Sequence, residues 1–90
     1  MPSAISNTNF IGTTDNQTLR FRENNLWAGE INQLTTNTSF GANAGKANIN
    51  GIHNTAIGNS ALFKNTDGSD NTAAGHFALS ENTTGTSNTA

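Results

Sequence analysis

The chain is 90 residues long, with 32% hydrophobic residues, 11% charged residues, a net charge of −2 and no cysteine. Four Lys and Arg residues cannot build a basic surface that neutralises a run of phosphates, which argues against nucleic-acid binding. Without thiols there is neither a disulfide framework nor a thiolate metal site, and no apolar run approaches the roughly 20 residues that cross a bilayer.

Asn, Thr and Gly together fill 39 of the 90 positions. So little hydrophobicity usually accompanies disorder, but disordered chains carry high net charge or many Pro, Lys and Glu, and this chain has a single Pro. A chain this short buries only a modest part of its surface, so oligomerisation is the remaining source of stability.

Residues 1–8 read as a loose leader, and Met1, Pro2, Ser3 and Ala4 lack the charged and apolar regions of a signal peptide. Residues 9–36 read as a small three-stranded β-meander. Asn9, Phe10, Ile11 and Gly12 supply its first short strand, ended by the turn-rich residues 13–16. Leu19, Arg20, Phe21 and Arg22 alternate apolar and cationic, the pattern of a half-buried strand. Asn24 and Asn25 form a turn that tolerates positive φ, and residues 26–31 return as the third strand. Leu19, Phe21 and Trp27 are its core or interface residues. Trp27 lies across the hairpin from Arg20 and Arg22, where packing explains it better than sugar binding. Residues 33–36 link this module to the remainder of the chain.

From residue 37 the chain repeats itself every 17 residues. Residues 54–70 read NTAIGNSALFKNTDGSD and residues 71–87 read NTAAGHFALSENTTGTS; residues 37–53 form a more diverged first copy, and residues 88–90 open a fourth. Asn37, Asn54, Asn71 and Asn88 begin the copies, followed by Thr38, Thr55, Thr72 and Thr89. Gly41, Gly58 and Gly75 occupy the fifth place and Gly51, Gly68 and Gly85 the fifteenth, where glycine allows positive φ or close backbone approach at a corner. Two corners leave room for two short strands per copy, each stacked on its equivalent about 4.8 Å away. Repeated Gly, Asn, Thr and Ser disfavour helix, although residues 60–64 have room for one helical turn. The expected fold is therefore all-β: a β-meander followed by a short parallel β-roll or solenoid over residues 37–90.

The apolar content of each copy is small. Phe40, Ile57 and Ala74 share the fourth place, Ala44, Ala61 and Ala78 the eighth, and Leu62 and Leu79 the ninth, where the first copy has Gly45. At roughly 25 cal/mol per Å2, three apolar residues per copy hardly offset backbone ordering of about 1–2 kcal/mol per residue. Three chains around a common axis would supply the missing burial, with the Asn and Thr columns as hydrogen-bonded ladders internal to the stack.

The segments NTAIGNSAL and NTAAGHFAL resemble the left-handed parallel β-roll repeats in the heads of trimeric autotransporter adhesins. The longer pattern NTAxGxxALxxNTTGxxNTA resembles repeats of bacterial cell-surface and phage-type tail-fibre proteins, in which a small β-module precedes the repeats as residues 9–36 do here. The resemblance covers about residues 9–90 and implies a homotrimeric, extracellular fibre segment, on a virion, an injection apparatus or a bacterial surface. It also implies that the chain is a portion of something longer, and that any ligand is a host-cell glycan or surface protein.

Catalytic and metal-binding readings find no support in spacing. His53 and His76 fall in different columns, which leaves them as solvated loop residues, and Asp67, Asp70 and Glu81 lack the nonapeptide or EF-hand pattern of calcium sites. The glycines do not form a phosphate-cradling loop ahead of a helix. No enzyme, cofactor, metal or membrane-inserted role is expected. The expected function is a structural or adhesive segment that spaces or displays a receptor-binding tip. The alternative is a solenoid whose Thr row orders water and binds ice. Against it, a single Thr row beside an Asn column reads as an internal ladder, with Ala56 and Ala73 facing the other way.

Overall fold

In the computed structural model, which describes residues 9–90, regular structure begins where side-chain alternation begins. The leader expected over residues 1–8 lies outside the described residues. Strand β1 (Leu19–Glu23) turns through Asn24 and Asn25 into β2 (Leu26–Asn32). Both asparagines are left-handed, at φ 51° and 59°, as a two-residue hairpin turn that matches strand twist requires. The antiparallel register pairs Leu19 with Ile31 and Phe21 with Gly29, then shifts between Phe21 and Arg22.

β2 pairs antiparallel with β3 (Asn37–Phe40), which pairs parallel with β4 (Thr55–Ile57) and through it with β5 (Thr72–Ala74). The result is one open, mixed five-stranded sheet in the order β1-β2-β3-β4-β5, with no helix among the described residues. Its parallel half runs in the sequence period: Thr38 faces Thr55, which faces Thr72, and an isolated bridge extends the row to Thr89.

Two sequence expectations change. The meander's outer strand is not residues 9–12, which form bends; the third antiparallel strand is β3, the start of the first repeat. In the segment ahead of β1 the Thr13 hydroxyl donates to the carbonyl oxygens of Asp15 and Gln17, and local bonding of this kind competes with a ladder.

Each repeat also carries one strand, not two. After the fifth-place glycine, the seventh and ninth places are left-handed in every copy: Asn43 and Gly45, Ser60 and Leu62, Phe77 and Leu79. Such residues cannot continue an extended strand, so residues 58–64 form turns, with the Ala61 amide donating to the Gly58 carbonyl at 3.2 Å. Equivalent turns remain bonded to each other between copies. The Ser60 amide donates to Ala42 at 2.8 Å and Phe77 to Asn59 at 2.9 Å, while Gly45 donates to Ala61 at 2.9 Å and Leu62 to Ala78 at 3.0 Å.

The core is narrow: Ala44, Ala56, Ala61, Leu62 and Ala73 are buried, with Ala78 and Leu79 packed against them. Leu62 is the one large apolar side chain fully buried among the described residues.

Candidate functional site

The sheet has two unlike faces, and strand alternation decides which residues occupy each. On the inner face Arg20, Glu30, Ser39, Ala56 and Ala73 lie side by side in register. Glu30 is buried. Its carboxylate accepts from Arg20 Nε and from Asn32 Nδ2, each at 3.4 Å, and its amide donates to the Ser39 hydroxyl at 3.0 Å. Trp27 fastens the hairpin to the first repeat: its indole N–H donates to the Ala44 carbonyl at 2.7 Å, and the Arg20 guanidinium lies 5.9 Å from its ring.

The Asn column points inward and works as the sequence suggests. Asn37 Oδ1 accepts the Asn54 amide at 2.7 Å, Asn54 Oδ1 accepts that of Asn71 at 3.0 Å, and Asn71 Oδ1 accepts that of Asn88 at 2.9 Å. The same side chains donate through Nδ2 to the carbonyls of Gly51, Gly68 and Gly85 in their own copies, at 2.9, 2.8 and 2.8 Å. A second asparagine column, overlooked in the sequence although it recurs with the same period, supports the same carbonyls. Asn48, Asn65 and Asn82 donate to Gly51, Gly68 and Gly85 at 3.0, 3.0 and 3.1 Å. Each corner carbonyl thus receives two amides, one from fourteen residues before it and one from three.

The two glycine columns act by different means. Gly41, Gly58 and Gly75 have φ of 133°, 120° and 129°; a Cβ on Gly58 would also stand 2.8 Å from the backbone of Gly75. A Cβ on Gly51 or Gly68 would instead run into the carbonyl oxygen of the equivalent glycine in the next copy. Close approach explains that column.

On the outer face lie two rows. One is Leu19, Ile31, Thr38, Thr55 and Thr72; the other is Phe21, Gly29, Phe40, Ile57 and Ala74. The Thr column, expected inside the stack, is exposed, because the inward positions go to Asn on one side of it and to Ser39, Ala56 and Ala73 on the other. Phe40 and Ile57 are likewise not in the chain's own core: they are 57% and 42% exposed, and Ile31 is 49% exposed. Phe21 and Phe40 meet edge to face over Gly29, with ring centroids 5.2 Å apart. The outer face is apolar beside a file of hydroxyls.

Ion pairs and polar pairs decorate the corners, one repeat apart. Lys64 Nζ lies 3.0 Å from Glu81, Asn50 Nδ2 donates to Asp67 at 2.9 Å, and His53 Nδ1 lies 3.2 Å from Asp70 Oδ1. All lie at the surface and contribute little to stability. Both histidines are exposed, as expected of solvated loop residues; His53 pairs with Asp70, whereas His76 stacks on Phe77 with centroids 4.1 Å apart. Among the described residues no three His, Cys, Asp or Glu side chains gather as a metal site, and no helix is long and apolar enough to cross a membrane.

No family model, curated protein or solved structure matches this chain.

Proposed function

We propose that the chain is a homotrimeric fibre segment, the shaft or head of a tail fibre or surface adhesin, in which residues 37–90 stack as a short β-solenoid that spaces or displays a receptor-binding tip. The observation that carries this reading is the outer face. Ile31, Phe40 and Ile57 stand in adjacent strands with about half of their surface in water, while the chain's own core holds little beyond Ala and two Leu. Apolar side chains aligned on a sheet face mark an interaction surface. Three copies packed through it would add the burial that each chain lacks, and the period of 17 residues brings an outward side chain to the same place in each repeat, Phe40, Ile57 and Ala74.

The resemblance to adhesin-head and tail-fibre repeats supports the same reading, with an extracellular site and binding of glycan or surface protein through three-fold avidity. Sedimentation equilibrium tests it: the chain is expected at three times its 9.4 kDa mass. Glycan-array binding by the trimer tests the adhesive part. No catalytic role is part of the proposal.

A second reading has one observation in its favour. Thr38, Thr55, Thr72 and Thr89 are outward and exposed in a parallel row, which removes the sequence-based objection that they form an internal ladder. An ice-binding surface would use this same face. Thermal hysteresis with a monomeric, folded chain would favour it over the trimer.

A further inference from the structure

The first repeat differs from the others at three neighbouring points. Gly45 stands where the others have Leu62 and Leu79, Ser39 stands where they have Ala56 and Ala73, and Glu30 enters from β2 alongside Ser39. A cavity of about 20 Å3 lies here, lined by Glu30, Ser39, Gly45, Asn48, Leu62 and Asn65 among others. That space takes one water molecule.

The asparagine ladder changes at the same place. Between the third and second repeats Asn82 Nδ2 donates directly to Asn65 Oδ1 at 2.7 Å. One repeat earlier the equivalent contact from Asn65 is not made: among the described residues Asn48 Oδ1 is fully buried and has no hydrogen-bond partner. Asn65 Nδ2 donates to the Gly68 carbonyl at 3.0 Å, which uses one of its two hydrogens. A buried acceptor without a donor is destabilising, so the site favours a molecule that can donate to it.

We propose that this cavity is a binding site for a single internal water, which accepts from Asn65 Nδ2 and donates to Asn48 Oδ1 and to the Glu30–Ser39 side. Water fits the hydrogen-bonding pattern better than a cation does. The spare N–H of Asn65 points to an acceptor, and the Glu30 carboxylate already has Arg20 beside it. The water completes the rung that Asn82 and Asn65 make directly one repeat later. It makes the first repeat a polar cap, joined to the hairpin through Glu30, and this holds for one chain whatever its oligomeric state.

The test is made on the 90-residue chain by water-selective NMR together with thermal melting. Slowly exchanging water should give cross-peaks to the side-chain amides of Asn48 and Asn65. Gly45→Leu should abolish them and lower the melting temperature by about 4–8 °C. Leucine can adopt the backbone there, since Leu62 and Leu79 occupy the equivalent place at φ 51° and 49°, although its Cβ would stand 3.3 Å from that of Ser39. Absence of those cross-peaks in the unsubstituted chain would overturn the proposal even if the variant fails to fold. So would their persistence in Gly45→Leu, a variant that melts at or above the parent, or a melting temperature that climbs with sodium or calcium chloride but not with choline chloride.

Discussion

The Asn54 side chain accepts the backbone N–H of Asn71 at 3.0 Å, one full repeat away, and both residues are buried. A backbone donor at the start of each repeat is thus satisfied by the side chain that starts the previous one. The same side chain closes its own repeat by donating to Gly68 at 2.8 Å. Donor and acceptor are both needed, and only Asn among short side chains offers the two together in a planar amide.

Asn54→Ala is therefore expected to leave the Asn71 amide buried and unpaired, at a cost of about 1–3 kcal/mol in urea unfolding. Asn54→Asp should cost at least as much, because it keeps the acceptor but sets a carboxylate oxygen against the Gly68 carbonyl. Thr84→Ala, at an exposed position, is the control and should change little.

Glycine substitutions should separate close approach from backbone strain. Gly58→Ala meets both a φ of 120° and the Gly75 backbone 2.8 Å away, whereas Gly75→Ala meets only a φ of 129°. Both variants lose stability, and the loss is expected to be larger for Gly58→Ala. Equal losses in denaturant titrations would show that spacing between repeats does not matter at this corner.

Leu62→Ala should destabilise by about 2–5 kcal/mol, the range for emptying a packed site, since Leu62 is 1% exposed. Leu79→Ala, in the equivalent but partly exposed place, should cost less. Thermal melts of the two variants compare them directly.

Much of the fold is legible in the sequence because the repeat is periodic in residue type. The period dictates the parallel register of Thr38, Thr55 and Thr72, and Asn24-Asn25 announces the hairpin turn. Hidden from the sequence are conformations without a residue signature. Thr36, His53, Asp70 and Ser87, four different side chains, end successive units in the same left-handed state at φ 57° to 59°. Leu62 and Leu79 are left-handed too, against the preference of their side chains, and this is why the sequence suggests a second strand where turns stack. The orientation of the Thr column is misread from the sequence for a related reason. Alternation says that Thr38 and Ser39 face opposite ways, but only the Asn37 side chain, bonded to Gly51, shows which way is in.

Outer-face substitutions bear on assembly and, through it, on folding. Ile57→Asp, at a side chain 42% exposed in the single chain, puts a charge where the proposal has copies meeting. It should lower the sedimenting mass, whereas Lys64→Ala at an exposed corner should not.

The most direct measurement is the mass of the unsubstituted chain by sedimentation equilibrium across a wide concentration range, read together with far-ultraviolet circular dichroism. The account predicts a β-rich species of three chains of 9.4 kDa each, which loses its cooperative thermal transition when Ile57→Asp separates it. A single chain that stays folded and melts cooperatively with its outer face in water would contradict it.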